Sequence, residues 1–135
     1  MQFLRNDLKR LDHKKGRDAE ALALHYLLKL GYRLCKQNYR VRWGELDLVM
    51  EDGRTLVFVE VKYRSLSEYP IESSVGPGKL RRLRRAMLEY LVKNGAFYRP
   101  SRFDCVFIIG RGSKFHDKKN MEFEIIHFKN ATDFN

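Results

Sequence analysis

Cysteine, proline and tryptophan are all scarce in this chain: two, three and one of 135 residues. Cys35 and Cys105 stand alone without CxxC spacing, which gives neither a disulfide framework nor a zinc knuckle and leaves two small residues expected to be buried. No apolar run approaches the roughly eighteen residues of a membrane-spanning helix. The opening Met1-Gln2-Phe3-Leu4-Arg5-Asn6-Asp7 lacks the continuous apolar stretch of a secretory signal, so a cytoplasmic protein is expected. Negative charge is also short: 17 Asp plus Glu against 27 Lys plus Arg leave a formal charge of +10. Such an excess on a small domain suggests a polyanionic partner, although solubility alone is the plainer reading. The 44% hydrophobic content is enough for one core. One domain is expected over residues 16–130, preceded by a basic arm or short helix at 1–15 and followed by a tail at 131–135.

Apolar spacing divides that domain. Ala19, Leu22, Ala23, Tyr26, Leu27 and Leu30 recur at three and four residues, which predicts an amphipathic helix over 16–30 ended by Gly31. Strands follow at 32–41, 45–50 and 55–62. The stretch 64–78 is rich in Ser, Pro and Gly and reads as a long loop of the kind that often carries function. Leu80, Leu83, Met87, Tyr90 and Leu91 mark the buried face of a second helix over 79–94, ended by Gly95. Two more strands are expected at 102–109 and 122–129. This α-β-β-β-α-β-β order makes an α/β domain with a mixed central sheet of about five strands flanked by helices. The second helix supplies the crossover that a parallel pair requires.

The chemistry gathers on the hairpin. Asp52-Gly53 between two alternating runs is a strong turn signal. As a two-residue loop it sets Glu51 opposite Arg54, Asp47 opposite Phe58 and Glu45 opposite Glu60. Side chains alternate along a strand, so Glu45, Asp47, Phe58, Glu60 and Lys62 share one face, and Leu46, Leu48, Met50, Val57, Val59 and Val61 share the other. Asp47 and Glu60 become diagonal neighbours about 7–8 Å apart. Two carboxylates at that spacing can share one small cation at about 2 Å from each oxygen. Mg²⁺ or Mn²⁺ suits such oxygen ligands, and Lys62 on the same face can orient a water or stabilise charge at phosphorus. Solvated cross-strand ion pairs are the plainer reading of the same residues.

Basic residues surround this hairpin. Lys79, Arg81, Arg82, Arg84 and Arg85 crowd the first two turns of the second helix, where cations oppose the helix dipole. A phosphate backbone would relieve that cost, and the helix N-terminus itself favours phosphate. Arg40, Arg42 and Arg64 flank the hairpin and are grouped with them as nucleic-acid contacts, and Trp43 can either stack on a base or enter the core. His25, His116 and His127 share no ligand spacing and are read as structural. Arg102 and Asp104 either brace the site or simply continue a strand.

Asp47 with Glu60-Val61-Lys62 resembles the Asp…(Asp/Glu)-x-Lys signature of the restriction-endonuclease-like, or PD-(D/E)xK, superfamily. Leu46 stands where the signature's Pro would. Gly16-Arg17-Asp18-Ala19-Glu20-Ala21, Gly31-Tyr32, Asn38, Gly44-Glu45-Leu46-Asp47-Leu48, Val57 to Arg64, Lys79 and Arg102-Phe103-Asp104 resemble the bacterial YraN family, over residues 14–109. That family is similar to archaeal Holliday-junction resolvases. The resemblance implies a restriction-endonuclease-like core, a metal site of Glu20, Asp47 and Glu60, and catalysis by Asp47, Glu60 and Lys62. It also implies a Mg²⁺- or Mn²⁺-dependent endonuclease acting on phosphodiester bonds in DNA, with branched or junction DNA as the substrate and a homodimer as the working form. A catalytically inactive nucleic-acid-binding module that retains the fold is the alternative. A protein-interaction adaptor fits the charge but leaves the clustered acids unexplained.

Overall fold

A computed structural model of the chain describes residues 2–4, 15–42, 44–65, 77–111 and 122–131. The elements are β1 (Gln2–Leu4), α1 (Lys15–Lys29), β2 (Arg33–Val41), β3 (Gly44–Asp52), β4 (Thr55–Ser65), α2 (Pro77–Lys93), β5 (Ser101–Arg111) and β6 (Glu122–Phe128). The strands form one mixed sheet in the order β1-β6-β5-β4-β3-β2. Five of them are those expected from the sequence, and the α/β class with two flanking helices holds. Gln2–Leu4 adds a short antiparallel edge beside β6, where an arm or short helix was expected. Residues 5–14, Trp43, His116, the loop centre at 66–76 and the tail at 132–135 lie outside the described residues.

Each helix ends where its glycine predicts. Tyr32 N–H donates to the Leu27 carbonyl at 3.1 Å and Gly31 N–H to that of Leu28 at 3.0 Å, the paired bonds of a Schellman cap. Ala96 and Gly95 repeat them on Leu91 and Val92. Pro77 opens α2, a first-turn position where its missing N–H is no loss. The helix then carries the chain from β4 to β5, the parallel pair of the sheet, as the crossover rule requires.

The helices cover opposite faces. Ala19, Leu22, Ala23, Tyr26 and Leu27 of α1 pack on Leu48, Met50, Val57, Val59, Val106 and Ile108. Leu80, Leu83, Ala86, Tyr90 and Leu91 of α2 pack on Val49, Leu56, Phe58, Phe103, Cys105 and Phe107. Complete burial of a Phe or Leu side chain is worth about 1.5–3 kcal/mol, so Phe58, Phe103, Leu27 and Leu48, each under 2% exposed, anchor both layers.

The hairpin register differs from the expected one. Asp52 pairs with Thr55 and Leu48 with Val59, so the two-residue loop is Gly53-Arg54 and every pairing moves by two. Gly53 has φ +60°, and a positive φ at the first loop residue is the glycine position of a type II′ turn, which matches the twist of the strands. Asp52 takes the last rung instead of the turn. Since side chains alternate with period two, a shift of two leaves the faces unchanged. Val49, not Asp47, faces Phe58. Leu46 is the exception to the expected faces, for it joins the α2-side core. The pleat is interrupted beside it, where Asn38 of β2 holds φ +51°.

Candidate metal centre

β3 and β4 separate at the site. Leu48 and Val59 are the last partners of their ladder, and one rung further along stand Asp47 and Glu60. There Asp47 Oδ2 accepts the Val61 N–H at 2.8 Å, so a carboxylate occupies a backbone donor that a neighbouring strand would otherwise use. The fork opens a polar space between the strands.

Glu60 is 8% exposed and is held from two elements. Lys62 Nζ stands 3.1 Å from its Oε1, and Lys79 Nζ, from the first turns of α2, stands 2.8 Å from the same oxygen. Burial acts to lower the Lys79 ammonium's pKa, but its bonds to Glu60 outweigh that and the shift is upward. Asp47, Glu60, Lys62 and Lys79 thus converge, as the sequence expected of the first three. Lys79 was expected on the phosphate backbone instead, because the residues between it and Glu60 include the long loop.

Two further carboxylates join through an amide. With its nitrogen turned toward them, the Asn38 side chain donates to Glu20 Oε2 at 2.9 Å and to Glu45 Oε1 at 2.8 Å. Burial pushes Asp47 up to about 7 from an ordinary 3.8, against the Val61 N–H bond and with Glu60, Glu20 and Glu45 adding to the rise. Glu20 on α1 is therefore within electrostatic reach of Asp47, where its helix position alone gave no such sign. Asn38 is the residue that composition and spacing missed; its left-handed backbone, which Asn tolerates better than most residues, is visible only in the fold.

The donor chemistry suits one kind of cation. Among the described residues no three His, Cys, Asp or Glu side chains close on one point as a metal cage does. A protein-bound Zn²⁺ needs such a set, with His or Cys in it. Mg²⁺ binds through one or two carboxylates and keeps its waters, and the pair Asp47 and Glu60 fits that habit. A cleft of about 310 Å³ adjoins Glu60 and is lined also by Gly44, Glu45, Lys79, Arg82, Leu83 and Ala86. Beneath it Cys105 is buried, and burial pushes its thiol up to about 12, which leaves it inert.

The remaining cations spread outward. Arg81, Arg82, Arg84 and Arg85 are exposed along α2, and Arg40 and Arg42 are exposed beside the hairpin. Arg42 N–H also donates to Glu89 Oε2 at 3.1 Å, which ties the end of β2 to α2. Arg64 is half-buried and its Nη1 donates to the Tyr63 carbonyl at 2.7 Å. Arg102 and Asp104 do not reach the fork. Their network lies on the α1 face: His127 Nε2 stands 2.8 Å from Asp104 Oδ2, Tyr26 Oη 3.0 Å from His127 Nδ1, and Arg102 bonds Asp104, Asp52 and Tyr32.

The model of the uncharacterised protein family UPF0102 matches residues 19–108, a span that contains Glu20, Asn38, Asp47, Glu60, Lys62 and Lys79. The chain belongs to the UPF0102 family. A UPF0102 protein of Nitrosococcus oceani is 47% identical over 96 residues, 70% of this chain and 77% of that one. One of Carboxydothermus hydrogenoformans is 34% identical over 120 residues, 88% of this chain and 95% of its own length. One of Neisseria meningitidis is 38% identical over 102 residues, covering 75% and 89%. The YraN-type resemblance read from the sequence is thereby borne out, and the UPF0102 match runs from within α1 to within β5, so the fork and all of α2 lie inside it. Among the described residues no helix is long and apolar enough to cross a membrane.

Proposed function

We propose that this UPF0102 protein is a metal-dependent endonuclease-like protein that hydrolyses phosphodiester bonds in DNA. The observation that carries the reading is the fork: Asp47 and Glu60 follow the last paired rung, Leu48–Val59, near enough for Glu60 to add to the rise of the Asp47 pKa, with Lys62 on the Glu60 oxygen. Asp47 and Glu60 would hold Mg²⁺ or Mn²⁺, and Glu20 would support it from the Asn38 bridge. When bound, such an ion supplies charge neutralisation at phosphorus and lowers the pKa of a water. Lys62 would orient that water or stabilise negative charge, and Arg40, Arg42, Arg64, Lys79, Arg81, Arg82, Arg84 and Arg85 would hold the DNA backbone. The resolvase resemblance names branched DNA as the substrate and a homodimer as the form that matches two symmetric scissile bonds. A cytoplasmic location fits such a substrate.

One observation favours the second reading, a binding module without turnover: both lysines lie on the same oxygen of Glu60. Calorimetry with Mg²⁺ separates the two. Wild type should bind the ion at millimolar concentration or below, and Asp47→Ala should weaken it about tenfold or more, because one of two protein ligands is removed. Junction and linear DNA are then incubated with each protein and Mg²⁺; cleavage by wild type alone supports the nuclease. Absence of Mg²⁺ binding by wild type leaves the binding module.

A further inference from the structure

Glu60 Oε1 is shared unequally. Lys79 is the nearer partner, at 2.8 Å against 3.1 Å for Lys62, and also the more exposed, at 36% against 20% of its side chain. Lys62 sits on a strand paired along its length with β5. Lys79 stands at the start of a helix, on a four-carbon stem, and lines with Glu60 and Arg82 the cleft beside the fork. Two ammonium groups on one oxygen repel each other, so the outer one is the easier to remove.

We infer that Lys79 is an exchangeable counter-cation: it competes with a divalent cation for Glu60, and it transfers to a phosphate oxygen when a nucleic-acid backbone enters the cleft. The inference deepens the metal-dependent reading and rests on it. Glu60 Oε1 has one small set of lone pairs, which a divalent ion and Lys79 both require. A phosphate oxygen gives Lys79 a full partner in place of a shared one. Phosphate binding therefore releases Glu60, and metal and backbone strengthen each other's binding through a positioning residue. By linkage the coupling is the same in either direction.

The test uses the full chain and compares wild type with Lys79→Met, Lys79→Gln and Arg82→Met, each checked for folding by circular dichroism in chelator. Arg82→Met removes the same charge from the same cleft wall, and Arg82 is not among the partners of Glu60. Calorimetry with Mg²⁺ should show about five- to tenfold tighter binding for both Lys79 variants, the size of a partly buried charge contact, and a smaller change for Arg82→Met. Fluorescence anisotropy with a short DNA duplex then reads the transfer. The drop in affinity on removing Lys79 should be small in chelator and about threefold or more larger in Ca²⁺. Equal Mg²⁺ affinity of wild type and Lys79→Met, equal tightening in Arg82→Met, or a drop in DNA affinity independent of Ca²⁺ would each overturn the exchange. Failure of every protein to bind Mg²⁺ would instead remove the metal reading beneath it, and the exchange with it.

Discussion

Asp47 shows how a single side chain connects burial to function. Its carboxyl is pushed up to about 7 from 3.8, so the folded chain holds a proton that the unfolded chain has already released between those values. As far as this group is concerned, stability is therefore highest below about pH 4, falls as pH rises from there to about 7, and levels off above it. The rise from 3.8 to about 7 sets an upper bound of about 4 kcal/mol on the loss. Asp47→Asn keeps an oxygen for the Val61 N–H and carries no charge. It should stabilise the protein by about 1–3 kcal/mol at pH 8 and by little at pH 4, read by urea denaturation at both values. An identical pH dependence in the two proteins would contradict the shift. The pair itself was legible because alternation is blind to a shift of two residues. The Asn38 bridge was not, since it depends on one backbone angle, and the approach of Lys79 depends on where a helix begins relative to a strand that precedes it by a long loop.

Among the elements, β5 carries a polar network that the sequence left between two readings. Asp104 is fully buried and takes bonds from Arg102, from the Asn130 N–H and from His127. Burial alone would raise its carboxyl, but the bonds from His127, Arg102 and Asn130 hold it below the ordinary range. Through Arg102 the network reaches Asp52 at the hairpin end and Tyr32 after α1. It therefore aligns α1, the hairpin and β6 without touching the fork. Removing the carboxylate leaves Arg102 only Asp52 and Tyr32 and takes the acceptor from the Asn130 N–H and from the buried His127 ring. Asp104→Ala should destabilise by about 3–5 kcal/mol while leaving Mg²⁺ affinity of the folded fraction within about twofold. Thermal melts and calorimetry together check this; a large fall in ion affinity in a protein of unchanged stability would place Asp104 in the site after all. Strand and helix periods were plain in the sequence, as were both glycine stops. The exact hairpin loop was not, because Asp-Gly and Gly-Arg are both acceptable two-residue turns and only the ladder distinguishes them.

For the molecule as a whole, the charge of +10 is not spread evenly. α2 has no acidic residue in its first turn, and its exposed arginines begin beside the cleft and run away from it. If that face grips DNA, replacing Arg81, Arg82, Arg84 and Arg85 together should flatten the dependence of log affinity on log salt by up to about 0.9 for each phosphate no longer neutralised. Binding measured across a salt series checks this, and an unchanged slope would move the DNA to another face. A sheet ordinarily insulates the helical layer above it from the layer below. Where β3 and β4 part, that insulation is breached: Glu20 arrives from one layer through Asn38 and Lys79 from the other through Glu60. If an ion lodges there as proposed, it would be gripped from both storeys at once, and its binding should raise the melting temperature of the whole domain and not the order of one loop.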